Sequence, residues 1–255
     1  MNSALHTRPA PRVIFDRETA PPSRDGVTVA VSARNYARYV LEALDSVAQQ
    51  THPALDLIVV DDGSEDESVA RVGEWMARAA GRFGRTLLLV HDRSYGVAQA
   101  RNTAFEHAKH DTIFVLDADN AIYPAAIARL RAACDHAGAA AAYSQIERFG
   151  DEQGVGLAGV WDPARFAVAN YVDAMALIRR DAWLAVGGYS TFDVAGREDW
   201  DLWCKFVEHG LEGVFVPQIL CRYRVHGRSM SRTELESAAS AAHTEIALRH
   251  PWLRS

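Results

Sequence analysis

Cysteine is scarce in this sequence. There are three in 255 residues, Cys134, Cys204 and Cys221, far apart and without a CxxC or Cys/His zinc spacing. That excludes a disulfide framework and a structural zinc site, and the expectation is buried thiols in a reducing compartment. Positive charge is also short: 27 Lys and Arg stand against 33 Asp and Glu, a formal net charge of −6. A nonspecific nucleic-acid binder normally shows the opposite sign, so no nucleic-acid partner is expected. No run reaches the ~18 apolar residues of a membrane-spanning helix. No apolar core follows Arg8 and Arg12 as a secretory signal would require. Phosphate-binding glycine loops are missing as well. No GxGxxG follows the first apolar run and no GxxxxGK[ST] occurs anywhere, so the dinucleotide and P-loop readings fail.

What is present is globular: 49% of residues are hydrophobic and 24% charged, close to the ~45–50% and ~25% of soluble domains, which excludes global disorder. Residues 1–26 hold Pro9, Pro11, Pro21 and Pro22 and no apolar period; they are expected to be a flexible leader with a short docked piece at Val13–Phe15. From Val27 onward short apolar runs alternate with helical periods. Strands are expected at Val27–Val31, Leu55–Val60, Thr86–Val90 and Thr112–Leu116. Helices are expected at Tyr36–Val47, Ser64–Ala80, Gly96–His107 and Tyr123–His136. This rhythm predicts βαβ units, hence a single α/β, Rossmann-like domain with a mostly parallel central sheet and helices on both faces. After Ala139 the rhythm loosens. Gly150–Gly159 reads as a loop, followed by a strand at Ala174–Ile178, a helix at Glu198–His209, a strand at Gly213–Val216 and a polar C-terminal helix. The expected division is a domain at 27–232, with a nucleotide-binding half to about 122 and an acceptor half from 123, then a helical tail at 233–255.

Ligands of such sheets bind beyond the carboxyl ends of the strands, so the polar residues directly after each strand carry the information. They are Ser32 with Arg34-Asn35, then Asp61-Asp62-Gly63-Ser64, then Asp117-Ala118-Asp119-Asn120. Carboxylates two apart on extended backbone point to one side, and a hard divalent cation relieves their repulsion; an Asx turn capping the next helix is the plainer account. Asp61-Asp62-Gly63-Ser64 has the features of a turn and N-cap, and a carboxylate there can also accept the imide N–H of uracil or thymine. Without a phosphate loop, a phosphorylated ligand needs a metal and basic side chains. Arg101, Arg222, Arg224, His226 and Arg228 are the candidates.

Taken in order, Val29–Asn35, Ser46–Pro53, Ile58–Ser64, Gly96–Asn102, Phe114–Asp119, Gly187-Gly188-Tyr189, Glu198–Trp203 and Tyr223–Gly227 resemble the inverting family 2 glycosyltransferases of GT-A fold. The resemblance runs from about Val27 to Ser231. It implies that the Ser32 main chain and Asp62 hold the nucleobase, with Arg34, Asp61 and Arg228 also counted to the nucleotide-sugar site. Arg101 would lie near the base or diphosphate and Asp117 near the ribose or metal. Asp119 and His226 would ligate Mn²⁺ or Mg²⁺, and Asp199, with Glu198 as its rival, would be the catalytic base. Asn120 stands where many members carry a further acidic residue. The Gln-x-x-Arg-Trp motif of the processive polymerases is missing, which points to single-sugar transfer.

The implied reaction moves a sugar from a nucleotide sugar, UDP- or dTDP-linked, to a hydroxyl of a glycan, a lipid-linked or a small-molecule acceptor, in polysaccharide, cell-envelope or glycoconjugate biosynthesis. The implied location is the cytoplasm, with peripheral contact at the inner face of the membrane left open. Two alternatives remain: a sugar-1-phosphate nucleotidylyltransferase, which normally carries a glycine-rich basic loop after its first strand, and a non-catalytic nucleotide-sugar-binding module.

Overall fold

The structure is a computed structural model that describes residues 10–192, 196–227 and 244–254. Its centre is a ten-stranded sheet. The parallel part comprises β2 (Val27–Ala33), β3 (Leu55–Asp61), β4 (Arg85–Val90) and β5 (Thr112–Asp117), placed in the order β4-β3-β2-β5. Every residue of β2 and β3 is buried, which is why these strands read as unbroken apolar runs. Alternate side chains serve two cores. Val27, Val29 and Val31 face α1 (Val40–Ala48), α2 (Ser68–Ala79) and α4 (Ala126–Ala137), while Ala30 faces α3 (Val97–His107).

The chain runs outward from β2 through β3 to β4 and then returns to the other side of β2 as β5. The carboxyl ends of β2 and β5 therefore diverge around a crevice, with Ser32 and Asp117 in register as neighbours.

Beyond β5 the sheet is mixed. The strand β9 (Ala176–Arg179) pairs antiparallel with both β5 and β7 (Ala141–Gly150), and β7 pairs parallel with β10 (Gly213–Val225). Two short strands, β6 (Ala121–Ile122) and β8 (Gly154–Val155), pair with β10 and β7. Three helices complete this half: α5 (Pro163–Phe166), α6 (Arg180–Ala185) and α7 (Glu198–Glu208).

Several elements differ from the sequence expectation. In the segment expected to be a flexible leader with a docked piece at Val13–Phe15, the docked piece is longer: Arg12–Glu18 form strand β1, which pairs antiparallel with β4 at the sheet edge. Six of its seven residues are exposed, so an apolar period never develops there. The strand β7 was not expected, because its outer half is only partly buried. The last strand runs on past Val216 to Val225; Pro217 lies where its pairing with β7 shifts register, as a residue without an N–H must. Helix α1 starts at Val40 rather than Tyr36. Asn35 adopts φ +57°, and the Tyr36 and Ala37 N–H groups donate to Ser68 Oγ and Asp66 Oδ2 instead of entering a helix. The expected tail at 233–255 falls largely outside the described residues; 244–249 are helical and pack through Ile246 on the core that holds Trp203. Among the described residues no helix is long and apolar enough to cross a membrane.

Candidate active site

A cavity of about 320 Å³ opens at the crevice between β2 and β5, lined by Ser32, Arg34, Tyr36, Asp62, Ser94, Gly96, Asp117, Asp119, Asn120 and Tyr223 among others. Five of the residues expected at the nucleotide sugar or metal meet there: Ser32, Arg34, Asp62, Asp117 and Asp119. Asp61 does not. It is 1% exposed and caps its own turn, accepting from Ser64 N at 2.8 Å and Ser64 Oγ at 2.5 Å. Arg228 lies outside the described residues.

Asp62 lines the cavity but is already saturated. Oδ1 accepts from His91 Nδ1 at 2.6 Å and Tyr95 N at 2.9 Å, and Oδ2 from Ser94 Oγ at 2.7 Å and Gly96 N at 2.8 Å. These bonds outweigh burial and hold its carboxyl below the usual range. A carboxylate offers about four lone-pair positions, and all are taken, so the expected bond to a ring imide has no vacant acceptor. Asp62 instead fastens the 92–96 loop that walls the cavity. Gly63, at φ +71°, lies under the same loop, where a Cβ would stand 2.6 Å from the Arg93 carbonyl carbon. Asp62→Ala would strand the buried His91 and two partly exposed amides, so it should cost about 1–3 kcal/mol of stability, read as a lowered midpoint in urea. Unchanged stability with weakened nucleotide binding would restore the direct contact.

Arg101 is buried at 3% exposure and bridges the two halves of the site. Its Nη2 donates to Asp117 Oδ1 at 2.8 Å and its Nη1 to Glu198 Oε1 at 3.1 Å. Burial alone would weaken its charge, but the two carboxylates outweigh that and raise its pKa further. Arg101 is thus a strut between β5 and α7, and through Asp117 it stands next to the cavity where it was expected near the base or diphosphate. Glu198 is held by that strut and by the Gly196 and Arg197 N–H groups, each at 2.9 Å. Arg222 and Arg224, considered for phosphate, are paired with Glu147 and Glu42 and lie over the Phe149 ring.

Asp199 stands apart from Glu198. Its Oδ2 accepts from Asn170 Nδ2 and its Oδ1 from Trp200 N, at 2.9 and 2.8 Å. The dipole at the start of α7 favours the charged form, but burial, with Glu198 next, pushes the Asp199 pKa up to about 7. Trp200 and Trp203 are core, their indoles donating to the Phe166 and Val172 carbonyls.

Asp119 Oδ2 is 3.0 Å from His226 Nε2. Burial and the neighbouring Asp117 raise the Asp119 pKa, the electrostatics of a group short of positive charge. Among the described residues no cluster of three or more His, Cys, Asp or Glu could hold a metal by itself. Two protein ligands fit a hard cation that takes its other oxygens from a phosphorylated substrate.

Sequence reading missed Asp173 and Asn170. Asp173 accepts from Met175 N at 2.8 Å, and burial pushes its carboxyl up to about 6, with Asp117 and Asp119 adding to the shift. The signal was an Asp just ahead of an apolar run. It went unread because only the carboxyl ends of strands were searched, whereas β9 runs antiparallel to β5 and brings its amino end to the crevice.

The sequence model described as "Glycosyl transferase family 2" matches residues 28–184. The chain belongs to that family. The succinoglycan biosynthesis protein ExoO of Rhizobium meliloti is 33% identical over 130 residues, 50% of this chain and 36% of ExoO. The glycosyltransferase GlyG of Streptococcus pneumoniae is 30% identical over 96 residues, 38% of this chain and 31% of GlyG. The chain thus spans about a third of the length of these relatives. Among solved structures, S. aureus TarS 1–349 in complex with UDP-GlcNAc superposes at TM-score 0.73 with 16% identity, covering 88% of this chain and 66% of that one. The mannosyltransferase PcManGT of Pyrobaculum calidifontis, in complex with GDP-Man and Mn²⁺, gives 0.65 and 22%, covering 93% and 71%. Both likenesses bear on the fold, a mixed α/β sheet flanked by helices, as in the GT-A glycosyltransferases.

Proposed function

We propose that this family 2 member is a metal-dependent inverting glycosyltransferase that moves one sugar from a nucleotide sugar to an acceptor hydroxyl. What supports the reading is a chain of contacts that links two chemistries, from Asp117 beside Asp119 through Arg101 to Glu198 beside Asp199. Asp119 and His226 stand at the β5 end, and a carboxyl poised near pH 7, Asp199, stands at the α7 end. Arg101 fixes their spacing through Asp117 and Glu198.

Asp119 and His226 would hold Mn²⁺ or Mg²⁺, which when bound neutralises charge on the departing diphosphate. Ser32, Arg34 and Tyr36 wall the space for the nucleoside. Asp173, between the two ends, is placed to accept hydrogen bonds from sugar hydroxyls. Asp199 would take the acceptor's proton as its oxygen bonds to the anomeric carbon from the face opposite the leaving group, so that one displacement inverts that centre.

Saturation of Asp62 removes the contact on which a uridine or thymidine preference rested. The donor is therefore proposed as a nucleoside-diphosphate sugar, with the base left to the test. The likeness to ExoO, a succinoglycan biosynthesis protein, supports an exopolysaccharide or related glycan as the acceptor.

A thermal-shift panel of UDP-, dTDP- and GDP-sugars with and without Mn²⁺ tests this. A donor at 100 times its Kd stabilises by about 2.7 kcal/mol, and only with Mn²⁺. Adding acceptor should then release the free nucleoside diphosphate. Release of pyrophosphate would favour the nucleotidylyltransferase instead, and stabilisation without turnover a binding module.

A further inference from the structure

The segment 244–254 packs against α7 away from the cavity, with Ile246 and Leu253 joining the apolar cluster of Trp203 and Phe206. Within that seam stands His250, 3% exposed. Its Nε2 is 3.1 Å from Asp201 Oδ1 and its Nδ1 is 2.7 Å from Glu208 Oε1. Ionised carboxylates only accept, so both ring nitrogens must donate, and only the imidazolium can do that. Asp201 and Glu208 lie seven residues apart, hence two turns along one face of α7. One ring therefore ties both turns to the C-terminal segment.

We infer that His250 is a positioning residue: as an imidazolium it pins α7 through Asp201 and Glu208 and so fixes where Asp199, in the first turn of that helix, meets the acceptor hydroxyl. The inference rests on the reading of Asp199 as base.

The surroundings agree. From α7 itself Lys205 Nζ reaches Asp201 Oδ2 at 2.8 Å, and the Cys204 thiol, pushed up by burial beside Asp201 and Glu208, stays neutral. From the C-terminal segment Arg249 approaches Asp201 at 3.9 Å and pairs with Glu245 at 3.3 Å, while Trp252 Nε1 donates to Glu208 Oε1 at 3.1 Å. Burial opposes the charge on His250, but Asp201 and Glu208 outweigh it and raise its pKa. For a raised histidine pKa the bridge is complete below the ordinary histidine range and lost as pH climbs through the folded value. A neutral ring gives up one of its two donated bonds and frees one turn of α7.

The test uses the full chain with Mn²⁺ and the donor found in the thermal-shift panel. It combines the pH profile of nucleoside-diphosphate release with NMR of the His250 ring and of the Trp200 and Trp203 indole N–H signals. In the wild type, kcat should fall on the alkaline side at the pH where the His250 ring titrates, and the two indole signals should shift with the same midpoint. His250→Arg, a permanent cation, should keep kcat within a few-fold and lose that alkaline limb. His250→Gln should lower kcat about 10-fold with the donor KM within about two-fold, the pattern of a misaimed group rather than a lost binding contact. An alkaline limb that persists in His250→Arg, or indole signals indifferent to the ring's titration, would overturn the inference. If His250→Gln does not fold, the Arg variant and the wild-type titration still decide. If no donor is turned over, the glycosyltransferase reading fails by itself, and the indole signals alone judge the bridge.

Discussion

Asp199→Asn is expected to lower kcat by about 10²–10⁴ while leaving donor affinity unchanged. The amide keeps the shape of the carboxyl and, on its one oxygen, the bond from Trp200 N–H; its NH2 then faces the Asn170 amide, which must turn to accept from it, and it cannot take a proton. Glu198 cannot replace it, because Arg101 and two main-chain N–H groups already hold it. The wild-type rate should also rise with pH through about 7, the value to which burial pushes Asp199, ahead of the alkaline fall assigned to His250, and the variant should lose that rising limb. The sign of the stability effect is fixed too. A carboxyl whose folded pKa is raised stabilises the fold while protonated and loses that contribution as pH climbs through the folded value. The asparagine variant should therefore melt no lower than wild type at pH 8. Activity within a few-fold of wild type, alongside a dead Glu198→Gln, would move the base to the other carboxylate.

Asp119→Ala should be nearly as damaging, cutting turnover by about 10²–10³ through loss of a charge-stabilising ligand at the leaving group. The fold should persist, since removing Asp119 relieves its repulsion with Asp117 at the expense of one bond to His226. EDTA should reproduce the loss in the wild type, and added Mn²⁺ or Mg²⁺ should reverse it there but not in the variant. Full turnover in EDTA would end the metal assignment.

The part of the molecule legible in its sequence is the part buried on both faces. Strands β2 to β5 have no solvent side to dilute their apolar runs, so they and the carboxylates at their ends could be placed in advance. The strands β1 and β7 are largely exposed or only half buried, and nothing in their composition separates them from loop. At the site, residue types told which groups gather but not which bonds they spend on one another. Asp62 and Arg101 were read as ligand contacts, and no local pattern announced that they also bond the protein's own loop and helix. Asp173 was hidden by a topological fact, the reversal of β9, which no local pattern announces. Asp199 was preferred to Glu198 in advance, but the bonds that distinguish the two neighbouring carboxylates were not legible, because Arg101 and Asn170 reach them from distant parts of the chain.

The edge strand β1 has a consequence for how the chain is built. Arg12 sits opposite Val90 and Glu18 opposite Arg85, so the segment that leaves the ribosome early has no partner until some seventy residues later have followed it. During synthesis β2, β3 and β4 can pair in sequence while β1 waits outside. Until it docks, β4 presents an open row of N–H and C=O groups beside a buried apolar strand, the kind of edge that recruits other chains. The order of translation thus leaves the sheet's outer seam to close late, by a strand with six exposed residues and a register shift between Val13 and Phe15. Once closed, that irregular strand, with the charges of Arg12, Asp16, Arg17 and Glu18 around its exposed Val13 and Ile14, is a poor template for any further one.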